Sequence, residues 1–398
     1  MNFLIGKVNQ ELKLLEKEDT MKDLSLYIHI PFCAQKCYYC DFLSFSSKED
    51  KISLYFESLY KEIERCAPVH SNEQVQSIFI GGGTPTVVPS DYISRTMDLI
   101  KEKFSVLPTA EVSIESNPAT FDKRKLLEYR KCGVNRLSVG LQCWQDKLLK
   151  EIGRIHSQKD FIKGFMEAKE AGFHNINVDL IFNLPNQTLE HWKETLEKVC
   201  NLAPNHLSCY SLKIEEGTVL YERAQNDKLI LDDDLDREMY HYAVEYLIKR
   251  GYTQYEISNF SKSNMECKHN LVYWEVKPYI GFGLGAHSYY EGIRYYNEEN
   301  MDHYIKKIRN NQSVRKIEDV LSLDHKKEEF VFLGLRKTEG IDDRDYQILF
   351  KNSIFEEYKN ELKDLYDQGM IKIDGGKIKL SKLGLDFANK VFMSFLKS

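Results

Sequence analysis

The chain has 398 residues, 42% of them hydrophobic and 29% charged, a composition that excludes disordered and collagen-like classes and fits two to three folded domains. Its 55 Lys and Arg stand against 61 Asp and Glu, a net charge of -6, so no basic excess exists to neutralise nucleic-acid phosphates. No stretch of 18 or more apolar residues occurs, and the apolar start Met1 to Val8 is too short and wrongly flanked for a signal peptide. The nine cysteines therefore point to a reducing, cytoplasmic setting, where clustered thiols mean metal or redox chemistry.

In chain order, residues 1–23 read as a charged helical extension, with Met21 a candidate alternative start. From residue 24 short β-branched runs alternate with amphipathic segments. The runs are LSLYIHI (24–30), SIFI (77–80), AEVSIES (110–116), NRLSVGL (135–141), NINVDLIF (175–182) and NHLSCYSL (205–212). Helices are predicted over 54–66, 91–104, 124–132, 160–171 and 189–202, with Gly133 and Gly172 where C-caps belong. Alternation at this spacing is the βαβ signature of a parallel sheet. Six units are too few for a closed eight-fold barrel, so an α/β fold with a partial, TIM-like barrel of six βα units is expected over 24–245. Residues 246–320, rich in Tyr and Gly, are expected to form an irregular linker. Residues 321–398 are expected to form a helix-rich, winged-helix-like domain, whose wing is MIKI, Asp374-Gly375-Gly376 and KIKL. No strongly basic helix is present there to read a DNA groove.

Special residues mark every run: Cys33, Cys37 and Cys40 follow the first and GGGTP (81–85) the second, the third ends in Glu115 and Asn117 and the fourth in Gln142, the fifth carries Asp179, and Lys213 with Glu215 follow the sixth. In parallel β/α folds the carboxyl ends of the strands make the active-site face. Three thiols within eight residues can hold three irons of a cubane and leave the fourth open. Structural zinc needs a fourth ligand, for which His29 is the candidate. Tyr39 and Phe42 are expected to wall off water around a cluster. An Asp inside the apolar run INVDLIF must be paired or functional, because burying it unpaired is costly.

YIHIPFCAQKCYYCDF (27–42), with its CxxxCxxC, resembles the radical S-adenosylmethionine (SAM) superfamily. GGGTPT, ESNP, GLQ, GRIHS and NVDLIFNLP follow in the order of the oxygen-independent coproporphyrinogen III oxidase-like group. The resemblance spans about residues 24–395. It implies that Cys33, Cys37 and Cys40 bind a 4Fe–4S cluster and that Tyr27 and Tyr39 contact the adenosyl part of SAM. It implies further that Gly82, Gly83 and Thr84 approach the methionyl amino group, with Glu115 accepting from that ammonium. Arg154 would pair with the carboxylate. Gln142 and Asp179 would hold the ribose, with Lys213 and His287 as further contacts. The cofactor would then supply radical chemistry through one-electron cleavage of the sulfonium, fed by a donor such as flavodoxin or ferredoxin.

Within the group, coproporphyrinogen oxidases carry a further Cys two residues past the third cluster ligand, where this chain has Phe42. That departure counts against coproporphyrinogen dehydrogenase activity, and no catalytic residue is assigned. CDF instead resembles the haem-chaperone, HemW-like branch. HNLVYW (269–274) matches that branch's haem motif, implying His269, Tyr273 and Trp274 as haem contacts, beside Cys267 as a second candidate ligand. The branch implies haem as cargo, apo-haemoproteins such as respiratory enzymes as clients, and contact with a membrane surface. The alternative is oxidative decarboxylation of coproporphyrinogen III. Asn183 and Asn186 stand where the family favours Gly, and Glu216 where it favours Pro, which bears on loop geometry rather than on ligands.

Overall fold

The computed structural model describes residues 21–46, 48–226 and 231–397. The expected extension over 1–23 therefore lies outside the described residues except at its end, where Lys22 already begins a strand. Six strands, β1 (Lys22–Ile30), β2 (Glu73–Gly82), β3 (Ser105–Ser116), β4 (Arg136–Gln142), β5 (Ile176–Phe182) and β6 (His206–Ser211), pair in chain order and all in parallel. Helices Ile52–Cys66, Ser90–Lys103, Lys123–Lys131, Gln158–Glu170 and Leu189–Asn201 connect them. The expected helix ends hold within a residue or two, and Gly133 and Gly172 take positive φ just past two of them, a conformation that glycine adopts without strain.

Strand parity explains the layering. Ile78 and Ile80, Val112 and Ile114, Leu137, Val139 and Leu141, Val178 and Leu180, and Leu207 are buried with Phe56, Ile63, Met97, Phe161, Phe165 and Trp192 from the helices. These residues face outward under the helical layer, and their burial is the main apolar stabilisation of the domain. The alternate residues face the other way, into the curl of the sheet. There Ser77 pairs in register with Glu111, Ser113 with Arg136, Ser138 with Asn177, and Asn177 with His206. In a parallel sheet packed on both faces such positions are ordinarily apolar. Here these paired positions are polar, with Phe79 an aromatic exception among the inward-facing residues.

The region expected to be an irregular linker is built into the sheet instead. Strands β7 (Thr253–Gln254) and β8 (Asn259–Ser261) continue it beyond β6, and β9 (Tyr279–Phe282), β10 (His287–Tyr290), β11 (Ile293–Asn297) and β12 (Arg315–Val320) continue it beyond β1, giving twelve strands. β9 pairs parallel to β1. The strands escape sequence reading because they are only two to six residues long and are held by partners distant in the chain. Helix Lys268–Trp274 lies against β2 and sends its first turn into the curl. The C-terminal segment has its own core, including Val331, Leu335, Tyr346, Ile354, Leu362, Ile378 and Phe395. A sheet of β13 (Ile341–Asp342), β15 (Lys377–Leu380) and β14 (Ile371–Asp374), in that order, forms the wing. Its hairpin turns at Gly375 and Gly376, both at positive φ, as a two-residue turn of twist compatible with the strands requires.

Candidate functional site

Cys33, Cys37 and Cys40 lie on the loop that leaves β1, all three partly exposed and none in a disulfide. The loop is pinned at its base by Cys33 N donating to Phe45 O (2.9 Å) and Phe45 N donating to Pro31 O (2.8 Å). Its tip is held by Tyr38 N to Ile152 O (3.0 Å) and Leu220 N to Tyr38 O (2.9 Å), and by Gln35 Nε2 to Gly153 O (3.0 Å). Two further groups meet the sulfurs directly: Thr84 Oγ1 at 3.7 Å from Cys33 Sγ and Arg154 Nη1 at 3.4 Å from Cys37 Sγ. Burial pushes the Cys33 thiol up and the Cys40 thiol up to about 11. Among the described residues no three His, Cys, Asp or Glu side chains converge where one metal ion would sit. His29 is also engaged, with Nδ1 at 3.0 Å from Tyr27 OH and Nε2 at 2.8 Å from Leu43 O. A single zinc completed by His29 does not match this donor set. Three separate thiols suit a cubane, three of whose irons would each take one thiolate and the fourth none.

The three glycines of GGGT fill the gap between this loop and the strand ends. A Cβ on Gly81 would sit 2.9 Å from Glu115 Oε2, one on Gly82 2.6 Å from the His29 ring, and one on Gly83 2.6 Å from Phe32 O and 3.0 Å from Cys33 Sγ. Backbone comes this close only without a side chain. Gly83 N donates to Ile30 O (2.9 Å) and Thr84 N to Phe32 O (2.7 Å), while Gly82 N donates to Glu115 Oε2 (3.1 Å). Burial and, next, the Asp179 charge push the Glu115 carboxyl up to about 8. Arg154 donates Nη2 to Gly140 O (2.6 Å), leaving its Nε unpartnered and buried. Tyr39 packs near the tip of the loop against the cluster that includes Leu148, Ile152 and Leu184. Phe42 does not: it is 59% exposed, so the apolar wall expected there is supplied on one side only. Gln142 ends β4 at φ +75°, a strained conformation for a non-glycine of the kind that gathers at functional sites.

Inside the curl is a cavity of about 220 Å³, lined by Tyr27, Glu115, Arg136, Asp179, Tyr210 and His269 among others. Asp179 is satisfied by Ser138 Oγ (2.7 Å) and Asn177 Nδ2 (2.8 Å), which answers how an Asp survives in an apolar strand. His269 is 1% exposed. Its Nδ1 is 2.8 Å from Ser77 Oγ and its Nε2 3.1 Å from Tyr273 OH, its ring stacks on Phe79, and burial lowers it to about 3. Cys267 is fully buried, its thiol 3.4 Å from Glu111 Oε1. Trp274 lies on the far side of the same helix, under the Arg336 guanidinium at 4.3 Å.

The structure thus gathers Tyr27, Glu115, Asp179, His269 and Tyr273 at the cavity, and Tyr39, Gly82, Gly83, Thr84, Gln142 and Arg154 nearer the cysteine loop. Lys213 is exposed and does not line the cavity. His287 points away from it, 3.4 Å from Glu318 and stacked on Tyr296. Sequence reasoning missed Arg136, Asn177, Ser208 and Tyr210, although the alternation in NRLSV, NINVD and HLSCYS marks each as inward-facing. Asn183 and Asn186 take φ +60° and +61°, so the two departures from glycine preserve the left-handed turn, which Asn tolerates.

Residues 27–199 match the model of the radical SAM superfamily and residues 321–387 that of the HemN C-terminal domain. The chain is 38% identical over 376 residues to the heme chaperone HemW of Bacillus subtilis (strain 168), covering 94% of this chain and 99% of that protein. It is 36% identical over 376 residues to the heme chaperone HemW of Lactococcus lactis, covering 94% and 98%. Among solved structures, coproporphyrinogen III oxidase (HemN) from Escherichia coli superposes with a TM-score of 0.84 at 24% identity, covering 97% of this chain and 93% of that one, a likeness of fold.

Proposed function

The chain belongs to the HemW family of the radical SAM superfamily, and on that premise we propose that it is a haem chaperone, which binds haem and delivers it to apo-haemoproteins. The observation that carries this reading is the identity to named haem chaperones over almost the full length of both chains. Phe42 at the position of the oxidases' additional Cys agrees with it.

In this reading Cys33, Cys37 and Cys40 hold a 4Fe–4S cluster and the adjoining residues hold SAM. When bound, that pair supplies one-electron reductive chemistry at the sulfonium. The chain's own residues bind and orient. Arg154, whose Nε is free, takes the methionyl carboxylate. Glu115 and the bare backbone of Gly82, Gly83 and Thr84 receive the ammonium. Tyr27 and Tyr39 border the adenosyl group and Gln142 and Asp179 the ribose, while Lys213 and His287, turned away from the cavity, make no contact there.

Haem is the cargo. A cavity of about 220 Å³ is below the roughly 300–1,000 Å³ of pockets that enclose drug-sized ligands, so a tetrapyrrole does not enter it whole. For His269 to ligate iron, the Tyr273 hydroxyl must leave Nε2 and helix Lys268–Trp274 must swing outward, carrying Tyr273 and Trp274 to the porphyrin faces. Clients would include respiratory haem enzymes, and electrons would come from a flavodoxin or ferredoxin. The protein would act in the cytoplasm and touch the membrane peripherally. Among the described residues no helix is long and apolar enough to cross a bilayer. Anaerobic titration of the reconstituted protein with haem tests the reading, with His269→Ala alongside. Equal affinity in the variant removes His269 from the haem site. Protoporphyrinogen formed from coproporphyrinogen III would replace the chaperone by the oxidase.

A further inference from the structure

Arg136 opens β4 and is 2% exposed. It lines the cavity inside the curl. Its Nε has no hydrogen-bond partner, and no carboxylate among the described residues comes within ion-pair distance of it. A guanidinium stays charged at any ordinary pH; burial works against that charge and the nearby Glu111 and Asp179 favour it through space, but neither gives Nε an acceptor, and a buried donor left unbonded is costly. The carboxylates nearest in the fold are already engaged. Glu111 Oε1 accepts from His269 N (3.3 Å) and the Cys267 thiol (3.4 Å), and Asp179 accepts from Ser138 and Asn177. Glu115 faces the cavity as well, and its Oε2 accepts from Gly82 N (3.1 Å).

The rest of the lining fits the same kind of guest. Ser208 donates to Asn177 Oδ1 (3.2 Å), and Tyr210, 40% exposed, stands at the opening. Arg136 is also separate from the arginine expected to serve the cofactor. Arg154 bonds Gly140 O, four residues farther along β4, or roughly 13 Å at the rise of a strand. From the buried guanidinium, whose Nε lacks an acceptor, and the polar interior around it, we infer that this cavity is a second anion site, in which Arg136 receives a carboxylate group. The carboxylate belongs either to a compact free acid or to an acidic arm of a larger ligand whose body stays outside. For the second source the inference rests on the haem-chaperone reading, since haem carries two propionates.

The experiment uses the full chain with its cluster reconstituted. Haem and haem dimethyl ester, which lacks free carboxylates, are titrated into the wild type and Arg136→Gln under nitrogen, and melting is followed with and without sodium propionate or succinate. If an arm enters the cavity, the ester binds the wild type about tenfold or more weakly than haem, the worth of a charge-assisted hydrogen bond, and Arg136→Gln erases the difference. If the ligand is a free acid, haem and ester bind alike, while propionate or succinate raises the melting temperature of the wild type and not of the variant. Equal binding of haem and ester together with no response to either acid overturns the inference and leaves the chaperone reading intact. Failure to bind haem with a retained, Arg136-dependent response to the acids does the reverse. The variant also separates a ligand role from a structural one. A ligand role shows as loss of the haem or acid response beyond any change in the ligand-free melting temperature, whereas a purely structural role lowers that temperature and leaves the response in place. Should the variant not fold, the wild-type comparison of haem, ester and acids still decides.

Discussion

Gly82→Ala tests the packing between the GGGT turn and the cysteine loop. Gly82 sits at φ +112°, and an added Cβ would lie 2.6 Å from His29 Cε1 and Nδ1. The ring cannot yield freely, because Tyr27 OH holds one nitrogen and Leu43 O the other. The backbone conformation alone costs an alanine about 1–3 kcal/mol, and forcing the ring aside costs about 1–3 kcal/mol more. A total near 4 kcal/mol corresponds to a fall of roughly 8–16 °C in the barrel's melting transition, at roughly 2–4 °C per kcal/mol for a domain of this size. Gly172→Ala is the control. It too has positive φ, +85°, but nothing lies within 4 Å of its Cβ, so only the conformational part applies. Calorimetry of the two variants isolates the steric part, and iron content after reconstitution reports whether displacing His29 from Leu43 unsettles the cysteine loop. If Gly82→Ala melts within about 2 °C of Gly172→Ala and takes up iron normally, the contact with His29 is not what dictates glycine there.

The Glu115 carboxyl is raised from 4.5 to about 8, by burial first and the Asp179 charge second. Between those values the folded protein retains a proton that the unfolded chain has released, so stability falls as pH rises through the window. Glu115→Gln should flatten that slope in denaturant midpoints, and an unchanged slope would assign it to other groups. Arg154→Gln should weaken SAM binding about tenfold or more in equilibrium dialysis of the reconstituted protein, and unchanged affinity would move the carboxylate elsewhere. Trp274→Ala removes the face on which Arg336 rests at 4.3 Å. It should destabilise by about 2–3 kcal/mol and speed limited proteolysis between the barrel and the C-terminal segment, whereas an unaltered digestion pattern would show that this stack does not join them. Asn186→Ala, at φ +61° on an exposed turn, should cost about 1–2 kcal/mol while Asn186→Gly stays close to the wild type by chemical denaturation.

The parallel strands were legible because each is a run of β-branched and apolar residues next to a helix of clear period, and such local patterns need no knowledge of partners. The cysteine triplet and GGGTPT were legible for a related reason: their chemistry depends on spacing along a few residues. The extension from β7 to β12 was not, since strands of two to six residues acquire their conformation from neighbours far away in the chain, as β9 does from β1. The cavity falls between these cases. Alternation in AEVSIES, NRLSV and NINVD already places Glu115, Arg136 and Asp179 on one face of their strands, but period-two patterns do not say whether that face meets water or the inside of a curl. For HNLVYW, composition offered a histidine among aromatics, while the position of that histidine, closed in by Ser77, Phe79 and Tyr273, depends on where a seven-residue helix docks.

What the amino-acid order by itself determined was the six-fold βα rhythm, the three thiols after the first strand and the small residues after the second, all set by interactions within short stretches of chain. What only the tertiary structure decided was which of the inward-facing charges find partners. Asp179 and Glu111 find hydrogen-bond donors and the Nε of Arg136 finds no acceptor, because satisfaction of a buried polar group depends on distances between strands that lie tens of residues apart in the chain.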